Sequence, residues 1–162
     1  MSRSGLQYLE TQGFAVDGTA VDIPTALDRR TEQVFLAGAA IAQGDWVALD
    51  TGASDSARAI TVVQAAAVGN GNTLVVGVAL EAAAAAGDKV KVCTRGYVER
   101  ANVLGGTTLG TALVVDTTAG QAQAIAAGDL APACGVALEA APAVGPDADT
   151  CDVYVYSNFY TG

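Results

Sequence analysis

Short apolar runs separated by glycine, asparagine or aspartate recur from Val34 onward. They are Val34 to Leu36, Trp46 to Leu49, Ala59 to Val63, Leu74 to Leu80, Lys89 to Thr94, Tyr97 to Glu99, Ala112 to Val115, Ala122 to Ile125, Cys134 to Leu138 and Cys151 to Tyr156. Runs of this length, with β-branched residues and turn residues between them, predict strands, and their density predicts an all-β sandwich or barrel. Alternation is sharpest in two of them: Val90 and Val92 alternate with Lys89 and Lys91, and Val153 and Val155 alternate with Tyr154 and Tyr156. With the valines inward, the second run turns an aromatic face outward, and such a face calls for a covering. Glu81 to Asp88 departs from the strand pattern. It is alanine-rich and ends near Gly87, which suits a short helix with a glycine cap. Its counterpart around Pro142 and Pro146 allows no more than a turn.

The order of the runs contains a repeat. Gly77-Val78-Ala79-Leu80-Glu81-Ala82-Ala83 returns unchanged as Gly135-Val136-Ala137-Leu138-Glu139-Ala140-Ala141, 58 residues later. Upstream, Gly44 to Thr51 matches Gly110 to Thr117 in pattern at an offset of 66, and downstream Val90-Lys91-Val92 parallels Val153-Tyr154-Val155 at 63. The changing offsets place insertions at Gly69 to Asn72 in one copy and at Pro142 to Asp147 in the other, where surface loops accept them. The expected organisation is all-β: an extended N-terminal arm over residues 1–33, then two related small barrel or sandwich units over 34–100 and 101–162. The arm's apolar side is Phe14, Val16, Val21 and Ile23, and Arg29-Arg30 at its end suit a docking contact.

Composition narrows the chemistry. Of 162 residues, 51% are hydrophobic, enough to fill a core, and no apolar run reaches the roughly 18 residues of a membrane span. Met1 to Leu6 lacks the apolar centre of a secretion signal, so synthesis in the cytoplasm is expected. The net charge is −9, and after Arg100 the chain carries six acids and no Lys or Arg, a poor partner for nucleic acid. Lys89, Lys91, Arg95 and Arg100 read as a solvated strand face. Histidine is absent and Cys93, Cys134 and Cys151 have no close spacing, which excludes His-containing zinc sites and every Ser-His or Cys-His nucleophile. No cofactor or metal is expected. Each cysteine reads as a small buried residue, while spacing leaves a Cys134–Cys151 disulfide open.

One motif suggests catalysis. Val47-Ala48-Leu49-Asp50-Thr51-Gly52-Ala53 fits the signature of retroviral-type aspartic proteases, in which two aspartates share a proton. Its repeat equivalent, Asp116, is followed by Thr117-Thr118, so only a homodimer would supply a matched pair. The plainer reading is a β-turn in which Asp50 bonds its own backbone and Gly52 takes a positive φ. Gly69 to Asn72 and Gly105 to Thr108 are turns. Asp147, Asp149 and Asp152 lack the glycine and distal glutamate of a calcium loop.

The run QGDWVALDTG followed by LVVGVALEAAAAAGDKVKVCTRG resembles the small β unit of tailed-bacteriophage capsid decoration, or cement, proteins. The match covers residues 34–100 well and 101–158 more loosely, and the second copy lacks the closing glycine that Gly96 supplies in the first. The resemblance implies a non-enzymatic virion protein, located on the outer capsid surface, that binds the major capsid protein, commonly as a homotrimer. Candidate contacts are Phe14, Val16, Ile23, Arg29 and Arg30 in the arm, and Tyr154, Tyr156, Phe159 and Tyr160 at the C-terminal end. Nucleic acid and membrane are not expected partners. Two alternatives are a head-fibre or adhesin module that binds a receptor or carbohydrate, and more remotely the homodimeric protease built on Asp50.

Overall fold

The computed structural model describes residues 30–66, 74–127, 132–145 and 148–156. Its strands are β1 (Thr31–Ala37), β2 (Trp46–Leu49), β3 (Thr61–Gln64), β4 (Val75–Ala79), β5 (Lys89–Asn102), β6 (Ala112–Val115), β7 (Ala122–Ala124), β8 (Gly135–Ala137) and β9 (Thr150–Tyr156). The fold is all-β. Strands β1-β3-β2-β4-β5 form a closed five-stranded barrel, because β1 pairs with β5 as well as with β3. The sheet continues from β5 through β9, β8 and β6 to β7. A parallel bridge between Val103 and Ala122 brings β7 back to the end of β5 and completes a second circuit.

Backbone bonds repeat between the two circuits, and they explain the duplicated heptad residue by residue. Ala79 N–H donates to Asp45 O at 2.8 Å and Ala137 N–H to Thr111 O at 2.9 Å. Leu80 donates to Lys91 O and Leu138 to Asp152 O, both at 2.8 Å; Ala83 donates to Ile41 O and Ala141 to Thr107 O, both at 2.9 Å. Glu81 Oε1 accepts the Lys91 N–H and Glu139 Oε1 accepts that of Asp152, each at 3.0 Å. Each glutamate thus satisfies a backbone donor on the closing strand, which neutral alanine neighbours cannot do. The glycines give close approach: a Cβ on Gly77 would lie 2.0 Å from Cys93 O, and one on Gly135 would lie 2.9 Å from Tyr154 O.

These bonds correct the expected downstream match. Lys91 corresponds to Asp152, so Val92 matches Val153 rather than Val155. A slip of two residues leaves every side chain on its face, which is why alternation could not reveal it. The alanine-rich segment after Glu81 is not a helix. Ala83 bridges Ile41, and the Asp88 carboxylate accepts the N–H groups of Ala84 and Ala85 at 3.1 and 2.9 Å around a turn with Gly87 at φ +89°. A short 3-10 helix, Asp55–Ala59, occupies the residues before β3.

The two runs Lys89 to Thr94 and Tyr97 to Glu99 are one strand. β5 bends at Gly96 (φ +115°) and carries a bulge between Val98 and Ala101, with Arg100 at φ +57°. Its first half closes the barrel against β1 and β4, and its second half pairs with β9 across residue 100. Two cores result. Phe35, Val47, Val62, Val76, Val90 and Val92 fill the barrel. The other core joins Trp46, Val78 and Cys93 from the outside of that barrel to Leu113, Val153 and Val155 of the second circuit. Asp45, 2% exposed, ties the join: its carboxylate accepts Ala42 N–H at 2.8 Å, Gln64 Nε2 at 2.7 Å and Asn102 Nδ2 at 3.1 Å.

Candidate binding face

Both ends of the described body leave from one place. Thr31, the first residue of β1, pairs with Arg95, and Tyr156, the last residue of β9, pairs with the same Arg95. Arg30 and the end of β9 therefore lie at one level on the two sides of β5. Arg30 Nε lies 2.5 Å from Glu32 Oε1, and Lys91 Nζ lies 3.7 Å from Glu32 Oε2. Such surface ion pairs contribute roughly 0–1 kcal/mol each and serve here to orient Arg30. Of the nine candidate contacts, Arg30, Tyr154 and Tyr156 are thus brought to one region. Phe14, Val16, Ile23, Arg29, Phe159 and Tyr160 lie outside the described residues.

Tyr154 is 37% exposed on the outer face of β9, while Val153 and Val155 are buried beneath it. Its partner across the ladder is Tyr97 of β5. The Tyr97 hydroxyl donates to Asp152 Oδ2, and Asp152 Oδ1 accepts the Arg100 N–H at 3.2 Å. One carboxylate therefore holds both a tyrosine of the face and the left-handed residue of the β5 bulge. Sequence reading missed this pair, because Tyr97 and Asp152 are 55 residues apart and only strand register joins them.

The Asp152 hydrogen bond, aided by burial, pushes the Tyr97 phenol from its ordinary 10.0 up to about 12. A folded value above the unfolded one favours the protonated native state. The contribution is therefore intact below pH 10 and lost as pH rises through about 12. Absorbance near 295 nm should show a late-ionising tyrosine component, and Asp152→Asn should bring the Tyr97 part of it to lower pH. A late titration unchanged in that variant would remove the carboxylate as its cause. Burial also raises the Tyr156 phenol.

Two open clefts flank the bulge. One, about 560 Å³, is bounded by Arg30, Gln43, Leu80, Val98, Arg100 and Thr150. The other, about 360 Å³, is bounded by Glu99, Glu139, Pro142 and Asp152. Asp149, considered for calcium, instead accepts the Gly105 N–H through Oδ1 at 2.8 Å. Asp50 makes the turn expected of it: Oδ1 accepts the Gly52 N–H at 2.8 Å. The positive φ there belongs to Asp55 (+46°) and not to Gly52, since the 3-10 helix takes over the reversal. The equivalent Asp116 accepts the Thr117 N–H at 2.7 Å. Cys93, Cys134 and Cys151 are free, buried thiols, so the disulfide left open by spacing is not formed. Burial raises all three, Cys134 and Cys151 to about 12, which keeps them protonated and poorly nucleophilic.

No family model and no curated protein matches the chain. Among solved structures, it is similar to the head fiber gp8.5 N base of bacteriophage phi29, with 16% identity and a TM-score of 0.49 over 79% of this chain and 95% of that one.

Proposed function

We propose that this is a non-enzymatic virion structural protein that binds the outer surface of an assembled bacteriophage capsid and stabilises it, as decoration or cement proteins do. The observation that carries the reading is the junction at Arg95, where the chain's two departures flank one residue beside an exposed tyrosine. The segment bearing Phe14, Val16 and Ile23 and the segment bearing Phe159 and Tyr160 start about two strand spacings apart, on the order of 10 Å. Both therefore start within reach of a single neighbouring surface. The sequence resemblance supplies the partner class: the major capsid protein, met by a homotrimer. Binding that favours the assembled shell stabilises it by mass action, by about 2.7 kcal/mol per site at a hundredfold excess over Kd.

Deleting residues 1–29 leaves all nine described strands intact, so the truncated protein should fold. It should fail to co-sediment with expanded heads that the full chain binds. Undiminished sedimentation of the truncated protein would remove the arm from the contact. Failure of the full chain to bind heads, together with selective binding on a glycan array, would favour the adhesin class instead.

A further inference from the structure

One surface of the second circuit corresponds to a surface that the molecule itself buries. In the barrel, Glu32, Cys93, Val78 and Trp46 lie in register as a row across β1, β5, β4 and β2. Cys93, Val78 and Trp46 are 0% exposed, because the second circuit packs over them. The corresponding row of the second circuit is Tyr97, Tyr154, Val136 and Ala112, in register across β5, β9, β8 and β6. None of these four is buried. Beside the row, Leu138 is 41% and Leu109 67% exposed. The barrel holds Leu80 and Gln43 at those two places, so the shared frame does not require leucine at 109.

A second copy cannot cover this row in the way that the first row is covered. The covering surface is the inner side of the second circuit, and Trp46 already occupies it, its ring lying where a Cβ on Gly135 would be 2.8 Å away. Charge points to a different occupant. The strands that carry Tyr154, Val136 and Ala112 belong to the part of the chain with no Lys or Arg, and Glu139 and Asp152 flank the row, while the basic residues Arg95 and Arg100 are confined to its β5 edge. An apolar sheet face with tyrosine at its centre and carboxylates at its margin complements an apolar protein surface that carries basic residues.

We propose that the Tyr97–Tyr154–Val136–Ala112 row, extended by Leu138 and Leu109, is a docking face for an apolar protein surface rimmed by lysine or arginine. The identity of that partner as the capsid shell rests on the functional reading above.

The test uses the full-length protein and phage heads that lack it. Tyr154→Thr with Leu109→Gln should leave the unfolding temperature near that of the parent while raising the half-saturating concentration on heads by about tenfold or more. Binding undiminished by the double variant overturns the face alone. No binding by the parent overturns both the face and the capsid reading. A parent oligomer that the double variant converts to monomer, seen by light scattering, overturns the proposal by making the row a self-contact. Charge is tested separately at Leu109, a side chain too exposed to disturb the core. Leu109→Lys should weaken binding more than Leu109→Glu, and added salt should weaken the parent; equal losses from the two variants overturn the basic-rimmed partner.

Discussion

Gly77→Ala should abolish folding at 25 °C, whereas the same change at its repeat counterpart, Gly135→Ala, should leave a folded but weakened protein. Neither glycine has a positive φ, so the difference is a matter of space and not of backbone preference. A Cβ on Gly77 would stand 2.0 Å from Cys93 O and 2.8 Å from its carbonyl carbon. Both atoms belong to β5, which β4 must touch to close the barrel. No rotamer relieves a backbone clash, so β4 and β5 must separate, with Val76, Val78, Val90 and Val92 losing their packing. That places the cost in the exceptional range above about 4–5 kcal/mol, against a total stability of about 5–15 kcal/mol for a domain. At Gly135 the nearest atoms are Trp46 Cη2 at 2.8 Å and Tyr154 O at 2.9 Å, so the buried indole and the β9 backbone must both give, but by far less than an approach of 2.0 Å demands. Overpacking of that kind costs about 1–3 kcal/mol. Far-ultraviolet circular dichroism and urea titration of both variants check the contrast. Equal stability of the two would mean that the β4–β5 approach is looser than these distances say.

Trp46→Ala should destabilise the whole molecule, not one half of it, by about 3–5 kcal/mol. Trp46 starts β2 of the barrel, yet its surroundings belong mostly to the second circuit. Its ring lies against Gly135, its Nε1 donates to Asn102 O at 3.0 Å, and its N–H donates to Gly120 O at 2.9 Å. It is fully buried in the core that contains Leu113, Val153 and Val155. Truncation leaves a cavity at the join and an unpaired carbonyl beside Asp45. Denaturant unfolding followed by circular dichroism should keep a single transition moved to lower urea. Two separated transitions in the variant, with the barrel unfolding at its original midpoint, would show that the halves are energetically independent and would refute this account.

The strands were legible because each run is short, β-branched and punctuated; Trp46–Leu49 and Ala112–Val115 coincide with β2 and β6. Four features were not legible, for three distinct reasons. Gly96 reads as a break between runs, but glycine at φ +115° bends β5 without ending it, since β9 takes over the pairing from Arg95 onward. Ala82 to Ala86 reads as helical by propensity, but the Asp88 carboxylate offers their N–H groups a local partner and tertiary bridging of Ala83 settles the matter. At the face, alternation correctly turned Tyr154 and Tyr156 outward. It could not add Tyr97, Val136 or Asp152, because which residues stand opposite one another depends on register between strands far apart in sequence. The heptad's own purpose was hidden for the same reason: Glu81 and Glu139 look like solvated surface acids until Lys91 and Asp152 are seen to present their N–H groups to them.

The shared pairing of Arg95 has a mechanical consequence. β1 and β9 both run antiparallel to β5, and they leave it at the same residue in opposite senses. Tension applied through the two ends would draw β1 and β9 lengthwise past β5, loading the bonds of each ladder together instead of peeling them one at a time. The load path would also cross only three strands, with Phe35 of β1 and Val153 and Val155 of β9 anchoring the pulled strands in the two cores. A body threaded in this way is suited to being pulled from both ends at once, as a clamp is.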